Sequence, residues 1–263
     1  MRKIAFVNIK GGVGKTTGIF NVAGVLAKEG KKVLCIDLDR QCNLTTAMLS
    51  NKESDWSRKN DKTIMDLFEG NATFGEVIKK NYIIDIGKRK AAYYGVDIIP
   101  GSKLLRKNEY IRKNYRSIKE SLSIYAEKEG YDYILCDLPA NSEVLNEICF
   151  SDICDEIISP FSVDKFSVDG YEELMDVVNK ARENNEVKML GIYLSKYDSR
   201  ISLDRFIKEE LESFGSIFIK DIQIPSKTDI RETVILGKPI SFYKSKSSTR
   251  EAYEKLTREI INR

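Results

Sequence analysis

A glycine-rich loop with a lysine and two threonines stands near the start of the chain. Residues 10–17 read KGGVGKTT, between an apolar run at 3–9 and a helix-like segment at 15–29. Glycines let successive backbone N–H groups converge on phosphate oxygens, and the start of a helix adds positive charge. Lys15 can reach the β- and γ-phosphates of a nucleotide, and the Thr16 hydroxyl can bind Mg²⁺. The predicted nucleotide site comprises Lys10, Gly11, Gly12, Val13, Gly14, Lys15, Thr16 and Thr17.

Two aspartates follow apolar runs that have the composition of strands. Asp39 comes just after the run 32–37, and Asp137 ends the run 133–137. A carboxylate at the end of a buried strand is costly without a partner, and a hydrated Mg²⁺ would supply one for Asp137. The chain has no histidine, so a carboxylate is the natural group to orient a water, and Asp39 is the candidate. The alternative is structural, because either aspartate could cap a helix.

Apolar runs alternate with helix-like segments along the chain, and these elements must position the loop and the carboxylates. The runs are nearly continuous, which is typical of parallel strands covered on both faces. Strands are predicted at 3–9, 32–37, 96–99, 133–137, 156–160, 188–195 and 217–224. Helices are predicted at 15–29, 103–129, 168–184, 203–214 and 248–261. We therefore expect an α/β fold with a doubly wound, mostly parallel sheet and helices on both faces.

The 263 residues contain no Gly/Ser-rich or Pro-rich linker, so a single domain over 1–263 is expected. The stretch at about 50–95 is polar and resembles an insertion, with two short helix signals at 63–68 and 74–80. No apolar run approaches the ~20 residues that span a bilayer, and no export signal is evident. The five cysteines form no CxxC pair. We expect a cytoplasmic protein without a membrane partner.

Lys10 followed by two glycines resembles the deviant Walker A loop of the ParA/MinD superfamily, although Ile9 stands where the common loop has glycine. Residues 31–43 and 131–139 are similar to two further motifs of that superfamily, reading KKVLCIDLDRQCN and YDYILCDLP. Later matches are YDSR at 197–200, Ile224-Pro225 and GKP at 237–239. The order of these motifs is most similar to that of the ParA/Soj partition ATPases. Arg40 replaces a usual proline, and the segment after Asp137 lacks the usual glycine.

The resemblance implies a protein that binds ATP and Mg²⁺ and dimerises face to face around two nucleotides. Its catalytic residues would be Lys10, Asp39 and Lys15, with Lys10 crossing to the phosphates of the partner subunit. The metal would lie near Thr16, Asp39 and Asp137, with Asp37 in a supporting position. Pro225 would belong to the nucleotide site.

The resemblance also implies non-specific DNA binding through arginines near the C-terminus. Arg200 matches one of them, whereas Ser226 and Asp229 stand where others are expected. The remaining candidates are Arg200, Lys227, Arg231, Lys244, Lys246 and Arg250. The net charge of +3 is too small to argue for DNA by itself, but residues 76–120 carry twelve cations against five acids and offer a second surface.

Three functions follow for testing. The first is a partition ATPase on the nucleoid, acting with a ParB-like centromere-binding protein. The second is a MinD-like or cargo-positioning ATPase switch without DNA binding; no basic amphipathic tail follows the last helix, which argues against a membrane version. The third is an iron–sulfur reductase that shares the loop, for which the five-residue spacing of Cys149 and Cys154 gives little support.

Overall fold

Eight strands form one sheet in the computed structural model, in the order β3-β4-β2-β5-β1-β6-β7-β8. The structure describes residues 1–49, 61–85, 90–105, 116–140, 149, 153–163, 169–183 and 186–263. The strands are β1 Arg2–Phe6, β2 Val33–Asp37, β3 Lys79–Asp85, β4 Lys90–Ile99, β5 Tyr133–Asp137, β6 Glu156–Ser162, β7 Lys188–Tyr197 and β8 Phe218–Pro225. All seven predicted strands are present, each within a few residues except β4, which begins six residues earlier than predicted.

Every neighbouring pair in the sheet is parallel except β3 and β4, which are antiparallel. The mostly parallel α/β fold is therefore confirmed. Strand β3 was not predicted, and the helix expected over 74–80 ends at Val77, two residues before β3 begins. Lys79, Lys80 and Asn81 at the start of β3 hide the apolar signal, as polar residues commonly do on an edge strand.

The helices among the described residues are α1 Lys15–Lys28, α2 Asn43–Leu49, α3 Ile64–Phe68, α4 Phe74–Val77, α5 Arg116–Glu129, α6 Asp169–Arg182, α7 Ser202–Glu212, α8 Thr228–Ile235, α9 Ile240–Tyr243 and α10 Ser248–Asn262. A short 3₁₀ turn covers Gly215–Ile217. The helix expected over 103–129 is present over Arg116–Glu129, but residues 103–105 form a turn, so its predicted start was wrong; residues 106–115 lie outside the described part. No helix among the described residues is long and apolar enough to cross a membrane.

Alternate residues of the central strands serve two separate cores. In β1, Ala5 belongs to the core that also contains α3, α5, α6 and α7, whereas Ile4 and Phe6 belong to the core that contains α1, α2 and α10. Both faces of the sheet are thus covered, which explains the continuous apolar strands. Helix α1 is buried on nearly all sides, between the sheet and α10.

The strand register brings the carboxyl ends of β1, β5 and β2 side by side. Phe6 at the end of β1 pairs with Asp137 at the end of β5, and Asp137 pairs on its other side with Asp37 at the end of β2. In an open parallel sheet, ligands bind outside the carboxyl ends of the strands. The phosphate loop follows the carboxyl end of β1, so the fold places the predicted loop and the predicted carboxylates together.

Candidate nucleotide site

The phosphate loop requires glycine at two positions. Gly12 has φ 77° and Gly14 has φ 103°, both in the left-handed region that favours glycine. Gly14 is also the N-cap residue of α1. Asn8 fixes the start of the loop, since its Oδ1 accepts a hydrogen bond from the Lys10 N–H at 2.8 Å while its Nδ2 donates to the Pro160 carbonyl at 2.9 Å. The loop is therefore anchored to β6 as well as to β1.

Lys15 lies along the inside of the loop. Its Nζ donates to the carbonyl oxygens of Asn8 at 3.0 Å and Lys10 at 3.1 Å. Burial lowers the pKa of Lys15, and the nearby Asp137 and Asp39 carboxylates oppose that shift. A cation beside converging backbone N–H groups is the arrangement that binds a phosphate chain.

Thr16 and Asp137 make the contact expected of a magnesium site. The Thr16 hydroxyl donates to Asp137 Oδ2 at 2.6 Å. Asp137 is fully buried, and its Oδ1 has no hydrogen-bond partner in the described part of the chain. Burial raises the pKa of Asp137 well above its usual value, and the charge of Asp37 adds to that effect. A hydrated cation would satisfy the unpartnered oxygen, so these two residues fit Mg²⁺.

The two carboxylates that follow β2 have different environments. Asp39 lines the cavity beside the loop, and its Oδ1 accepts a hydrogen bond from the Gln41 N–H at 2.9 Å. Asp37 is fully buried and accepts two hydrogen bonds from Thr45, one from its N–H at 2.9 Å and one from its hydroxyl at 2.6 Å. Burial raises the pKa of Asp37 to about 6. Asp37 therefore holds α2 in place, whereas Asp39 faces the cavity.

The cavity has a volume of about 580 Å³, within the usual range for a small-molecule site. One side is the phosphate loop with Asp39. The opposite side comes from the end of β8 and from α8, and consists of Pro225, Ser226, Lys227, Ile230, Arg231, Val234 and Ile235. Pro225 was predicted there from the resemblance. The other six were not predicted as cavity residues, and two of them were assigned to DNA.

The end of β7 also contacts the loop, which the sequence did not predict. Ser195 donates its hydroxyl hydrogen to the Val13 carbonyl, and Lys196, which lines the cavity, donates to the Gly12 carbonyl. Lys196 has φ 57°, an unfavourable conformation for a residue with a Cβ atom. These residues reach the loop because β7 pairs with β6. No local sequence pattern predicts that pairing.

The six predicted DNA contacts fall into two groups of three. Arg200 and Lys227 follow the carboxyl ends of β7 and β8, which are joined there by a hydrogen bond from the Ser226 N–H to the Tyr197 carbonyl at 3.0 Å. The Arg200 side chain is 87% exposed and pairs with Asp198, whose pKa its hydrogen bonds lower to about 2. Lys227 and Arg231 line the cavity.

The other three predicted DNA contacts lie on or near the last two helices. Lys244 contacts Glu232 at 3.3 Å, Arg250 contacts Glu254 at 2.7 Å, and Lys246 is exposed. Most cations of the basic segment 76–120 lie outside the residues whose side chains the structure describes. None of these assignments is tested by the geometry alone, and they stay predictions.

Comparison with known proteins decides the family. The profile of the AAA_31 family, described as an AAA domain, matches residues 1–190. The chain belongs to this family. A chromosome partitioning protein ParA of Caulobacter vibrioides is 29% identical over 267 residues, covering 100% of this chain and 95% of that protein. A chromosome-partitioning ATPase Soj of Treponema pallidum is 28% identical over 264 residues, covering 100% and 98%. The ParA/Soj relationship predicted from the motifs is thereby confirmed.

The fold comparison agrees. A putative plasmid partition protein of Borrelia burgdorferi, solved bound to AMPPNP, has a TM-score of 0.77 at 20% identity, covering 99% of this chain and 98% of that one. At this identity the likeness concerns the fold. It extends beyond residue 190, so β8 and α8 to α10 are part of the shared architecture.

Proposed function

We propose that the protein is a Mg²⁺-dependent ATPase of the partition type, which dimerises with ATP and binds DNA without sequence preference. The contact of Thr16 with the half-partnered Asp137 carries the nucleotide part of this proposal, because it prepares an oxygen site for a divalent cation beside a phosphate loop. The partition part is supported by full-length similarity to ParA and Soj proteins. The protein would act in the cytoplasm, on the nucleoid, and a ParB-like centromere-binding partner would stimulate it.

The residues of the chain divide the work of ATP hydrolysis. The amides from Gly11 to Thr16 and the Lys15 ammonium bind the phosphates and neutralise charge as it develops. Thr16 and Asp137 would hold Mg²⁺, which supplies further neutralisation of the phosphate oxygens. Asp39 faces the cavity and orients the attacking water. Lys10 is proposed to reach the phosphates of the partner subunit in the dimer.

The far side of the cavity suits the remainder of the nucleotide. Pro225 and Ile230 offer apolar contact to a base, and Lys227 and Arg231 add two cations at the same side. With two of the six proposed DNA contacts in the cavity wall, Arg200 becomes the leading candidate for a DNA contact. Its exposed guanidinium lies beyond the end of β7, and its pair with Asp198 is open to solvent.

Retention on duplex DNA across a salt series, with and without Mg-ATP, tests the proposal. Each phosphate contact releases counterions, so log affinity should fall against log salt with a slope of about −0.9 per contact. Arg200→Glu should weaken binding to every sequence and flatten the slope. Arg258→Glu is the matched control, because Arg258 is exposed on α10 near its end, where the Ile260 carbonyl contacts Arg2 at the amino end of β1, whereas Arg200 lies beyond the carboxyl end of β7.

A nucleotide measurement separates the two parts of the proposal. Lys15→Ala should lose Mg-ATP binding, because it removes the ammonium that lies inside the loop. Unchanged nucleotide affinity in that variant would refute the site. If wild type binds ATP but its dimer ignores DNA even at low salt, the cargo-positioning switch becomes the better function. The pairing of Arg200 with Asp198 and the place of Lys227 and Arg231 in the cavity favour that alternative.

A further inference from the structure

Three of the five cysteines meet inside the protein, away from the nucleotide cavity. The Sγ atoms of Cys136, Cys149 and Cys154 all lie within 4.8 Å of one another. Each of these residues is at most 3% exposed. They share the core on the face of the sheet that α5 and α6 cover. None of the three lines the cavity beside the phosphate loop, so the cluster is separate from the site described above.

The backbone holds the three sulfur atoms in place. Cys136 lies in β5 and pairs with Ala5 of β1 on one side and Ile36 of β2 on the other. The Cys154 N–H donates to the Cys149 carbonyl at 2.7 Å, so these two cysteines are joined through the backbone. The next residue, Asp155, is held between β1 and β7 by hydrogen bonds to Lys3 and Lys188. These strand pairs and hydrogen bonds position the backbone of the three cysteines next to one another.

The donor set is entirely sulfur. The chain has no histidine, and among the described residues no carboxylate joins the group. Burial raises the pKa of each of the three thiols well above its usual value. Sulfur ligands about 2.3 Å from a central ion lie within about 4 Å of one another. Small side-chain adjustments would therefore let all three sulfurs bind one ion.

Charge decides which ion suits the cluster. A monovalent or divalent ion bound by three thiolates would leave net negative charge in an apolar core, which is unfavourable. A trivalent ion bound by three thiolates leaves none. The site is also closed to solvent, so a ligand that arrives without charge has the smallest desolvation cost. Thiophilic character, a charge of three and a neutral free form together describe arsenite in its hydroxide form.

We propose that Cys136, Cys149 and Cys154 form a binding site for a trivalent thiophilic ion of the arsenite class. Three arsenic–sulfur bonds form as three arsenic–oxygen bonds break. Each hydroxide leaves with one thiol proton as water, and no atom changes its oxidation state. The adduct is neutral and joins the end of β5 to the turn before β6. An iron–sulfur cluster shared between two subunits does not suit these cysteines, because they are buried within one chain.

Titration of the reduced, full-length protein with arsenite, without nucleotide, tests the proposal. We expect one arsenic per chain by native mass spectrometry. X-ray absorption at the arsenic edge should show three sulfur neighbours and no oxygen. Zn²⁺ and Cu⁺ titrations in parallel should show weaker binding at the same cysteines.

Variants locate the site. Cys149→Ser and Cys154→Ser should each weaken arsenite binding at least tenfold, whereas Cys42→Ser, outside the cluster, should bind like wild type. Arsenic with mixed sulfur and oxygen neighbours in wild type would overturn the proposal even if a variant failed to fold. Equal affinity in the variants, or tighter binding of Zn²⁺ than of arsenite at these cysteines, would also overturn it.

Discussion

Asp137 combines full burial with an incomplete set of hydrogen bonds. Its Oδ2 accepts from Thr16, while its Oδ1 has no donor in the described structure. An unpartnered buried oxygen destabilises a protein, so its presence at a strand end next to a phosphate loop indicates a ligand site. Asp39, two residues beyond β2, differs because it is half-buried. Its Oδ1 accepts a hydrogen bond from the Gln41 N–H, which stabilises the turn that follows β2.

Asp39→Ala should leave ATP binding and dimerisation intact and slow hydrolysis about 10²–10⁴-fold, because the carboxylate acts on water. Asp39→Asn is the control, since its carboxamide oxygen can still accept from the Gln41 N–H but carries no charge. Single-turnover hydrolysis measures the rate, and size-exclusion chromatography with ATP measures the dimer. Normal turnover in Asp39→Asn would show that Asp39 only maintains the turn.

Lys196 offers a test of the contact between β7 and the phosphate loop. Lys196→Ala and Lys196→Gly both remove the ammonium from the Gly12 carbonyl, so both should bind ATP several-fold more weakly than wild type. Only glycine relieves the left-handed backbone at φ 57°, and it should be more stable than alanine by about 1 kcal/mol. Urea unfolding and nucleotide titration separate the two effects. Wild-type affinity in both variants would remove Lys196 from the site.

The residues of the site were predictable where a local pattern carries them. The loop from Lys10 to Thr17 has its own glycine spacing, and Asp137 ends an apolar run. Lys196 and Arg231 were not predicted as cavity residues, because β7, β8 and α8 bring them to the cavity through tertiary contacts. The cysteine cluster was not predicted for the same reason: Cys136 and Cys149 are thirteen residues apart in the sequence, and only tertiary contacts bring them together.

At the scale of elements, α1 connects the phosphate loop to the core. Its small residues allow close packing on both sides. A Cβ atom at Gly18 would lie 2.6 Å from Tyr193 Oη, and one at Gly24 would lie 2.3 Å from Pro239 Cβ. Neither glycine has the positive φ seen in the loop. Their lack of a side chain allows close packing. Together, Gly18 and Gly24 determine how closely α1 approaches β7 and the segment before α9.

Gly24→Ala should therefore destabilise the protein by about 1–3 kcal/mol, although alanine favours helices more than glycine does. Gly75→Ala is the matched control, because Gly75 is exposed in α4 and a Cβ there meets nothing within 4 Å. It should be neutral or stabilising by up to about 1 kcal/mol. Chemical denaturation compares the two. A stabilised Gly24→Ala variant would contradict the close packing of α1.

Elements with strong periodicity were predicted, and so were the short helices α3 and α4, whereas three other short helices were missed. Helices α1, α7 and α10 agree with the sequence to within two residues at each end. Helices α2, α8 and α9 were not predicted, since at four to eight residues they depend on tertiary contacts such as that of Asp37 with Thr45. Strand β3 was missed because its lysines and asparagine obscure the apolar pattern of an edge strand.

At the scale of the whole molecule, the last helix, α10, packs against the first helix, α1. Tyr253, Leu256 and Ile260 of α10 are buried in the core that contains α1. Arg2 at the start of β1 donates to the Ile260 carbonyl. The AAA_31 match ends at residue 190, yet residues 225–235 form one wall of the cavity. The region beyond the match thus contributes to both the core and the site.

Leu256→Ala should cost about 2–5 kcal/mol of the free energy of unfolding, because it leaves a cavity between α10 and α1. The neighbouring Lys255 is exposed, and Lys255→Ala should change stability by no more than about 0.5 kcal/mol. Urea titration followed by circular dichroism measures both. A loss below 1 kcal/mol in Leu256→Ala would mean that α10 is not a structural part of the core.

The position of β1 in the middle of the sheet has a consequence for biosynthesis. Its two neighbours, β5 and β6, begin at residues 133 and 156. At 5–20 residues per second, roughly 6–25 s pass on the ribosome between the synthesis of β1 and that of β5. During that time Ile4, Ala5 and Phe6 have no strand to pair with, and the nascent chain presents an unpaired apolar edge. Chaperones that shield such segments are therefore expected to act on the first half of the chain before the phosphate loop can form.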